Sequence, residues 1–505
     1  MLNDIAKRFF LKVEEQTLKL ADDPIMDEQK LQECARATDT YIRIHTRQQR
    51  LLTECYRPKI GAKLLLFGTG DCSQLGQLRG SSQLNADEPT TEAKRPRELS
   101  CLSDTPMIQV ACGGLHTLLL RNDGRVLSWG GNDDGALGRI TPAPEDNNAT
   151  YSPDFIPDLV ANSHKMGVVL KVSCGDCQSL ALTVSGTVYL WGCYKSKEGT
   201  QFRDIPEQQQ QELFQSKDER VWKNAVNGKH DIPVAIAGFR GKRVQDIRCG
   251  VSFNAAIDQE GILYTWGLGE CGELGRPSYE IPPNKDDISF QAIAQKMLTP
   301  MSPHWSDGKP HKAESIACGG YHLLATTVPG YLFSEARLFT TGLNNYGQLG
   351  LNDNENRAVL TEVQILNGYN IDRIGAGLHH SLCTDERGNL IAFGRGDSGQ
   401  LGITSHQPVA GYFEPSPVSV ELPNKDDAHV AQISCGGNHN MVLTSKGTVY
   451  TWGFGTQYQL GHGVEQDEYR PCKLSFGAKS ATNDAHILQV AGGGQHSAIL
   501  CTMQH

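Results

Sequence analysis

The stretch QVACGGLHTLLLRNDGRVLSWGGNDDGALG, from Gln109 to Gly138, contains a pattern that recurs along most of the chain. The pattern consists of Gly-Gly-x-His, an apolar run, a turn that ends in glycine, and a second apolar run that ends in an aromatic residue and glycine. Its aromatic half recurs, with one threonine substitute, at Phe67, Trp129, Trp191, Trp266, Thr341, Phe393 and Trp452. Its Gly-Gly-x-His half recurs at Gly113, Gly175, Gly250, Gly319, Ala376, Gly436 and Gly493. Such internal repetition is typical of architectures in which each repeat buries its apolar face against its neighbours.

The two halves of the pattern are joined by turn signals in all repeats but one. These dipeptides are Asp123-Gly124, Ser185-Gly186, Glu260-Gly261, Pro329-Gly330, Arg387-Gly388 and Lys446-Gly447. The first aromatic half, KLLLFG, has no partner before it, and the last Gly-Gly-x-His half, VAGGGQHSAIL, has none after it. We therefore expect the two ends to complete one unit between them. Such closure removes the free sheet edges that promote aggregation, and it predicts an all-β, seven-bladed β-propeller over residues 61–505.

Residues 1–60 differ from the repeats and are predicted to form a helical hairpin, because apolar residues such as Leu2, Ile5 and Phe9 recur at helical spacing. The second half of this extension is basic, with Arg36, Arg43, Arg47, Arg50, Arg57 and Lys59. A solvated helix face and a docking or nucleic-acid surface are both compatible with that charge.

Composition excludes several classes of protein. No apolar run approaches the roughly 18 residues that a membrane span needs, so no membrane partner is expected. The formal net charge of -10 argues against non-specific nucleic-acid binding by the whole surface, although local basic patches remain compatible with it. The N-terminus lacks the pattern of a secretion signal, so we expect the 15 cysteines to be reduced thiols of an intracellular protein.

Some motifs imitate catalytic or cofactor sites, and the repeat offers a plainer explanation for each. Cys174 and Cys177 form a CxxC pair, but Cys174 shares its repeat position with Cys112, Cys249, Cys318 and Cys435 and is expected to be a small buried residue. The histidine position is assigned to His116, Gln178, Phe253, His322, His379, His439 and His496, and we expect hydrogen bonds within or between blades. The Gly-Gly pairs lie between strands, unlike phosphate-binding loops. We therefore expect no metal and no cofactor.

Four segments carry a family resemblance: WGGNDDGALGR (129–139), GLGECGELGR (267–276), GAGLHHSL (375–382) and WGFGTQYQLGHG (452–463). They resemble the regulator of chromosome condensation family, and the order of the repeats looks most like its exchange factor for the small GTPase Ran. The resemblance implies an exchange factor that makes no covalent bonds, with a Ran-type GTPase as partner, chromatin as a second partner, and a nuclear location. One face of the propeller is expected to grip the GTPase with a short β-wedge and to favour its nucleotide-free state.

The resemblance also implies which residues face the GTPase. The wedge matches the segment from Tyr194 to Gln201, which contains Lys195, Ser196, Lys197, Glu198 and Gly199. Outside the wedge, the matching positions are Asp71, Asp176, Arg276, His379 and His496.

Two departures from the family pattern keep a second function open. The fourth repeat has Val251-Ser252-Phe253 where the family exchange factor has an aspartate followed by histidine, and the helical hairpin replaces a very basic tail. A non-exchanging propeller scaffold that binds another protein through the same face is therefore the alternative. Lys94 to Arg97 is a weak candidate for a nuclear-localisation patch.

Overall fold

The computed structural model describes residues 62–76, 92–103, 105–141, 153–195, 229–276, 299–404, 408–424, 429–476 and 485–503. The predicted helical hairpin at residues 1–60 lies outside these ranges, as do Ser196, Lys197, Glu198 and Gly199 of the predicted wedge. Within the described ranges the chain forms seven antiparallel sheets, one for each repeat. The seven-bladed propeller is thereby confirmed.

Blade one joins the two ends of the propeller. It consists of β1 (Ala62–Thr69), β2 (Glu92–Glu98), β26 (Ala485–Gly492) and β27 (His496–Met503), in the order β2-β1-β27-β26. Strand β1 pairs with β27 along its whole length, from Ala62 opposite Thr502 to Gly68 opposite His496. This pairing closes the ring as the missing turn signal predicts. Lys94 to Arg97 lies in β2, paired with β1, so this basic patch is part of a folded sheet.

Blades two to seven follow in chain order. Blade two consists of β3 (Met107–Cys112), β4 (His116–Arg121), β5 (Val126–Gly130) and β6 (Asp158–Leu159), and blade three of β7 (Val169–Cys174), β8 (Gln178–Thr183), β9 (Val188–Cys193) and β10 (Lys229–Ala235). Blade four consists of β11 (Val244–Cys249), β12 (Phe253–Asp258) and β13 (Leu263–Gly267), with a bridge from Thr265 to Met301 at its outer edge. Blade five consists of β14 (Ala313–Cys318), β15 (His322–Thr327), β16 (Leu338–Gly342) and β17 (Arg357–Glu362).

Blade six consists of β18 (Ile371–Ala376), β19 (His380–Asp385), β20 (Leu390–Arg395) and β21 (Phe413–Val420), and blade seven of β22 (Val430–Cys435), β23 (His439–Thr444), β24 (Val449–Gly453) and β25 (Glu468–Lys473). Four short 3-10 helices, at Ser100–Leu102, Pro153–Phe155, Ala237–Phe239 and Gln364–Leu366, accompany the strands. No helix among the described residues is long and apolar enough to cross a membrane.

The core lies between neighbouring blades, because the second and third strands of each blade are buried on both faces. Trp129, Trp191, Trp266 and Trp452 are fully buried, as the sequence predicts. The indole of Trp191 donates a hydrogen bond to the carbonyl of Ala136 in the preceding blade, at 2.8 Å. The glycine after each aromatic residue allows a close approach, since Gly130 has a φ of 112° and a Cβ there would lie 2.5 Å from the Leu115 carbonyl oxygen.

The structure corrects the predicted register of the sixth repeat by one residue. The amide of Gly377 donates to the carbonyl of His380 at 2.9 Å, as the amide of Gly113 donates to His116 in blade two. The Gly-Gly-x-His half of this repeat therefore begins at Gly377, and the assignment to Ala376 is wrong. His380, and not His379, holds the repeated histidine position, because two adjacent histidines made the register ambiguous.

Candidate partner-binding site at the channel mouth

A ring of buried side chains, called the ladder ring below, joins each blade to the next. Its members are His116, Gln178, Phe253, His322, His380, His439 and His496, all at most 1% exposed. Each histidine Nε2 contacts a side-chain oxygen of the next blade at 2.8–2.9 Å, in the pairs His116–Ser179, His322–Ser381, His380–Asn440, His439–Ser497 and His496–Thr117. The predicted structural role of these histidines therefore has a geometric basis in five blades.

The hydrogen bonds also determine which nitrogen carries the proton. The Ser179 hydroxyl donates to the carbonyl of Ala136, so it accepts from the Nε2–H of His116. The same relay passes from His496 through Thr117 to the carbonyl of Gln74. Burial lowers the pKa of His116 to about 4 and that of His496 to about 3, so both rings are neutral at physiological pH.

The inner strands of the seven blades surround a central cavity of about 180 Å³, which is lined by repeated glycines and cysteines. Cys174 donates its S–H to the carbonyl of Ala111, and Cys249 donates to Ser173, so these thiols bond to the preceding blade. Burial raises the pKa of the Cys249 thiol to about 12, which keeps it protonated. Within the described ranges, no group of three or more His, Cys, Asp or Glu residues could hold a metal ion.

One face of the propeller collects four of the predicted contact residues. Its centre, called the mouth ring below, is formed by the residue that precedes each ladder position: Leu115, Cys177, Ser252, Tyr321, His379, Asn438 and Gln495. Every inner strand ends at this face and every third strand runs back to it, so the loops that follow both strands meet here. The sequence predicts contact residues in exactly such loops: Asp71 after β1, Asp176 after β7, Lys195 after β9 and His379 after β18.

The blade-three side of the mouth is acidic. Asp176 is half-buried, and its carboxylate leans over Gly114 of blade two, where a Cβ would clash with the Oδ1 atom. Burial raises the pKa of Asp176, and Asp134 adds to that increase, while the Cys177 thiol and Lys195 oppose it. Asp71 is exposed in the loop after β1. The face therefore offers carboxylate oxygens that a cationic or N–H-bearing partner could contact.

Lys195 marks the beginning of the predicted wedge and is held against blade two. Its Nζ lies 2.5 Å from a carboxylate oxygen of Asp134, which is 9% exposed. Burial works against the charge, but the hydrogen bond to Asp134 raises the pKa of Lys195. Lys195, which follows β9 and Tyr194, is thus anchored by an ion pair that joins blade three to blade two.

The side of the mouth formed by blades five and six is aromatic. The His379 ring stacks on Tyr321, with 6.1 Å between ring centroids and an interplanar angle of 23°, and contacts Tyr346 at 5.2 Å. Burial, and then the charge of Arg395, lowers the pKa of His379 to about 4. Burial raises the pKa of Tyr321, and the negative charge of Asp176 adds to that increase.

Three predicted contact residues lie in the core instead of on this face. Tyr194 is 1% exposed, and its hydroxyl accepts a hydrogen bond from Asn254 at 2.9 Å. Arg276 is 4% exposed and donates to the carbonyl of Thr265, as Arg139 does to Ser128 in blade two. His496 belongs to the ladder ring. Tyr194 and His496 join neighbouring blades, whereas Arg276 bonds within blade four. Among the described residues, the predicted contact residues that lie at the mouth face are Asp71, Asp176, Lys195 and His379.

Sequence reasoning missed several residues of this face, namely Asp134, Tyr321, Tyr346 and Arg395. Tyr321 could have been found by aligning the repeats and choosing the residue before each ladder position. The other three lie in or before the loops that follow third strands, where the repeat pattern gives no sign of which side chain turns toward the mouth.

Comparisons with known proteins agree with this architecture. The chain is similar to the guanine nucleotide exchange factor SRM1 of Saccharomyces cerevisiae, at 29% identity over 86% of each chain. It is equally similar to the ultraviolet-B receptor UVR8 of Arabidopsis thaliana, at 29% identity over 83% of this chain and 79% of that protein. The crystal structure of Prp20p from Saccharomyces cerevisiae, a protein described with its binding to Gsp1p and histones, matches with a TM-score of 0.71 and 25% identity over 91% of this chain and 95% of Prp20p. A family model, the RCC1-like domain, matches residues 63–499, and the chain therefore belongs to the RCC1-like, or regulator of chromosome condensation, family.

Proposed function

We propose that this chain is a guanine-nucleotide exchange factor for a Ran-type small GTPase and that it binds the GTPase through the channel-mouth face. The observation that carries the proposal is the convergence of Asp71, Asp176, Lys195 and His379 on one face of a family propeller. The exchange factors among its relatives provide the reaction class.

The proposed reaction needs no covalent chemistry. The propeller binds the nucleotide-free form of the GTPase more tightly than the GDP-bound form, and this difference in affinity shifts the population toward release. Asp176 and Asp71 supply acceptor oxygens, Lys195 supplies a cation, and His379 supplies a neutral ring. A buried hydrogen bond to a charged group contributes about 2 kcal/mol, which is enough to change exchange by more than tenfold.

The wedge remains a proposal. Its first residue, Lys195, is anchored to Asp134, while Ser196, Lys197, Glu198 and Gly199 lie outside the described residues. The segment begins at the mouth face, beside Asp176, which is the position that a wedge directed at the bound GTPase requires.

Nuclear location and a chromatin contact are proposed on the strength of the relatives, since Prp20p is described with binding to histones. The acidic net charge of -10 favours a basic partner such as a histone over bare DNA.

A second candidate is a non-exchanging scaffold that binds a different protein through the same face. Ser252 and Phe253 replace the acid and histidine of the family exchange factor, and Phe253 is fully buried. Identity does not separate the two functions, because the chain is as similar to a light receptor as to an exchange factor.

Release of a fluorescent GDP from Ran, at catalytic amounts of this protein, separates the two candidates. The exchange hypothesis predicts acceleration by the full chain and a loss of about tenfold or more in Asp176→Asn. The matched control is Asp123→Asn, an exposed aspartate in the turn at the opposite face, which should leave the rate unchanged. Binding of Ran without acceleration would favour the scaffold, and neither binding nor acceleration would exclude Ran as the partner.

Deletion of residues 195–198 tests the wedge. The deletion should abolish acceleration while the protein keeps its β-sheet circular dichroism and a cooperative thermal transition, whose midpoint falls because Asp134 loses its ion-pair partner. Exchange at the wild-type rate would show that the wedge lies elsewhere.

A further inference from the structure

Three residues of blades five and six form a series of contacts that begins at His379: Tyr346 packs on His379, Arg395 on Tyr346, and Asp397 pairs with Arg395. The ring of Tyr346 contacts His379 at 5.2 Å, and the Arg395 guanidinium lies 5.0 Å from the centre of the Tyr346 ring. Arg395 also fixes the backbone, because its amide donates to the carbonyl of His379 at 2.8 Å. The imidazole is therefore restrained through both its side chain and its main chain.

Arg395 is itself held in one orientation by Asp397. Its Nε and Nη2 atoms each lie 2.8 Å from a different oxygen of the Asp397 carboxylate, a bidentate pairing that fixes the plane of the guanidinium. Burial works to raise the pKa of Asp397, but the hydrogen bond from Arg395 lowers it overall, so the carboxylate stays ionised. The fork keeps Arg395 stacked on Tyr346 instead of extended into solvent.

The two nitrogens of His379 have different surroundings. Nδ1 is buried and has no hydrogen-bond partner, while the ring as a whole is only half-buried. A proton on Nδ1 would leave a buried N–H unpaired, and unpaired buried donors are rarer than unpaired acceptors. The proton therefore belongs on Nε2, and Nε2–H is the group that remains for a partner.

We propose that Tyr346, Arg395 and Asp397 are positioning residues that hold His379 as a neutral Nε2–H donor toward the GTPase. This inference rests on the proposed exchange function for its biological meaning. It also names the chemistry of the contact, since a neutral donor matches an acceptor oxygen on the partner. A carboxylate or main-chain carbonyl of the GTPase would accept from Nε2 without a change in charge at the mouth.

The charged groups around His379 influence whether its neutral ring binds a second proton. Arg395 opposes a second proton on the ring, and Asp397 offsets part of that effect. Among the described residues, the other titratable groups beside the ring are Tyr321 and Tyr346 on its faces and the neutral ladder histidines His322 and His380. Removal of the Arg395 charge leaves Asp397 uncompensated, and both changes favour a protonated His379.

The proton on His379 can be observed directly by NMR of the full chain labelled with ¹⁵N-histidine, with the His379→Gln spectrum to assign the signals. The wild-type ring should show Nε2–H and no titration between pH 7 and about pH 5. In Arg395→Met, titration should appear within that range, whereas Arg395→Lys, which retains the charge, should stay untitrated. A wild-type ring that titrates near its ordinary pKa, or that carries its proton on Nδ1, would overturn the inference.

Exchange assays test the positioning role independently. Arg395→Met should slow GDP release by about fivefold at pH 7.5, through loss of one oriented hydrogen bond. Arg395→Lys keeps the charge but cannot form the bidentate pairing with Asp397, so it should recover only part of the rate. The control is Arg387→Met, which removes an exposed arginine in a turn of the opposite face. An unchanged rate in Arg395→Met would overturn the positioning role. If the wild-type protein accelerates no exchange while the NMR results are as expected, the proposed function fails and the neutral Nε2–H donor stands.

Discussion

The ladder ring and the mouth ring are adjacent in every repeat, yet they differ in almost every physical respect. The ladder ring has histidine in five of its seven positions, and all seven side chains are buried. The mouth ring, one residue earlier, has seven different amino acids, and most of them are partly exposed. Repetition thus marks the side chains that join blades, and variation marks those at the mouth, where we propose that a partner binds.

This contrast has a geometric cause. A ladder side chain points between blades, where it must reach a hydroxyl or amide of the next blade and stack on a glycine, so few residue types fit. Most mouth side chains are partly exposed and need no fixed partner in the next blade, so more residue types fit. His379 and His380 show the difference within one dipeptide, since His379 packs against Tyr321 and Tyr346 at the mouth while His380 bonds to Asn440 of the next blade.

Acidification should destabilise the protein through its ladder histidines, and this loss of unfolding free energy is the largest effect that we expect. The folded pKa values of the ladder histidines are about 3 to 4, below the value of about 6.5 in the unfolded chain. As the pH falls below 6.5, the unfolded chain binds protons that the folded ring excludes. The contribution of these histidines to the free energy of unfolding is therefore fully present above pH 6.5. By pH 5.5 the free energy of unfolding falls by on the order of 1 kcal/mol per histidine.

Urea unfolding at a series of pH values measures this loss. His496→Gln provides the matched variant, because glutamine already occupies the ladder position of blade three and bonds there to the Gly250 carbonyl. Between pH 6.5 and 5.5, unfolding of the variant should take up about one proton fewer than unfolding of the wild type, so its free energy of unfolding should depend less steeply on pH. Equal slopes for both proteins would show that His496 does not carry its share of the linkage.

The neighbouring pair His379 and His380 gives the next largest effect and the sharpest separation of stability from function. His380→Ala should cost about 3 kcal/mol of unfolding free energy, because it leaves a cavity and removes the bond to Asn440. His379→Ala should cost less than about 1 kcal/mol of stability but slow exchange by about tenfold or more. Urea unfolding and GDP release measure the two quantities on the same preparations.

The exposed His164, substituted as His164→Gln, should change neither quantity. The opposite pattern, with His379→Ala the more destabilising, would place the ladder at the residue that sequence reasoning first assigned. Exchange lost in folded His380→Ala, at a temperature far below its midpoint, would mean that the ladder also shapes the mouth.

The sequence contained the fold because the pattern rests on local requirements. Gly130 needs a positive φ beside the Leu115 carbonyl, and Trp191 needs a buried site next to the preceding turn, so both recur at fixed offsets. The open ends at KLLLFG and VAGGGQHSAIL predicted the pairing of β1 with β27. Each of these features is set by residues at fixed positions of the repeat, so it can be inferred from the repeat pattern.

The candidate site was only partly predictable, because it depends on contacts between blades. Asp176 and His379 could be placed on the mouth by their loop positions alone. The burial of Tyr194 depends on Asn254 in the following blade, and that of Arg276 on the carbonyl of Thr265. The Tyr194 contact leaves no mark in the repeat pattern. The Arg276 contact lies within blade four and recurs at Arg139, so an alignment of the two Leu-Gly-Arg segments would have placed Arg276 in the core.

Gly114 offers the smallest and most specific test of the comparison, because it lies where the two rings meet. The Asp176 carboxylate occupies the space that a Gly114 side chain would fill, and Gly114 does not have a positive φ, so alanine suits the backbone. Gly114→Ala should displace that carboxylate and slow exchange by about fivefold, while stability changes by less than about 1 kcal/mol.

The matched control is Gly437→Ala, the equivalent residue of blade seven, where a Cβ would meet its nearest neighbour, the Gly494 carbonyl oxygen, at 3.4 Å. That variant should exchange at the wild-type rate, since no mouth carboxylate leans over it. If both variants slow exchange equally, the width of the channel mouth matters and the position of Asp176 does not. Slower exchange in Gly114→Ala alone would show that Gly114 affects function through Asp176. This aspartate occupies, in blade three, the repeat position that Gly114 occupies in blade two.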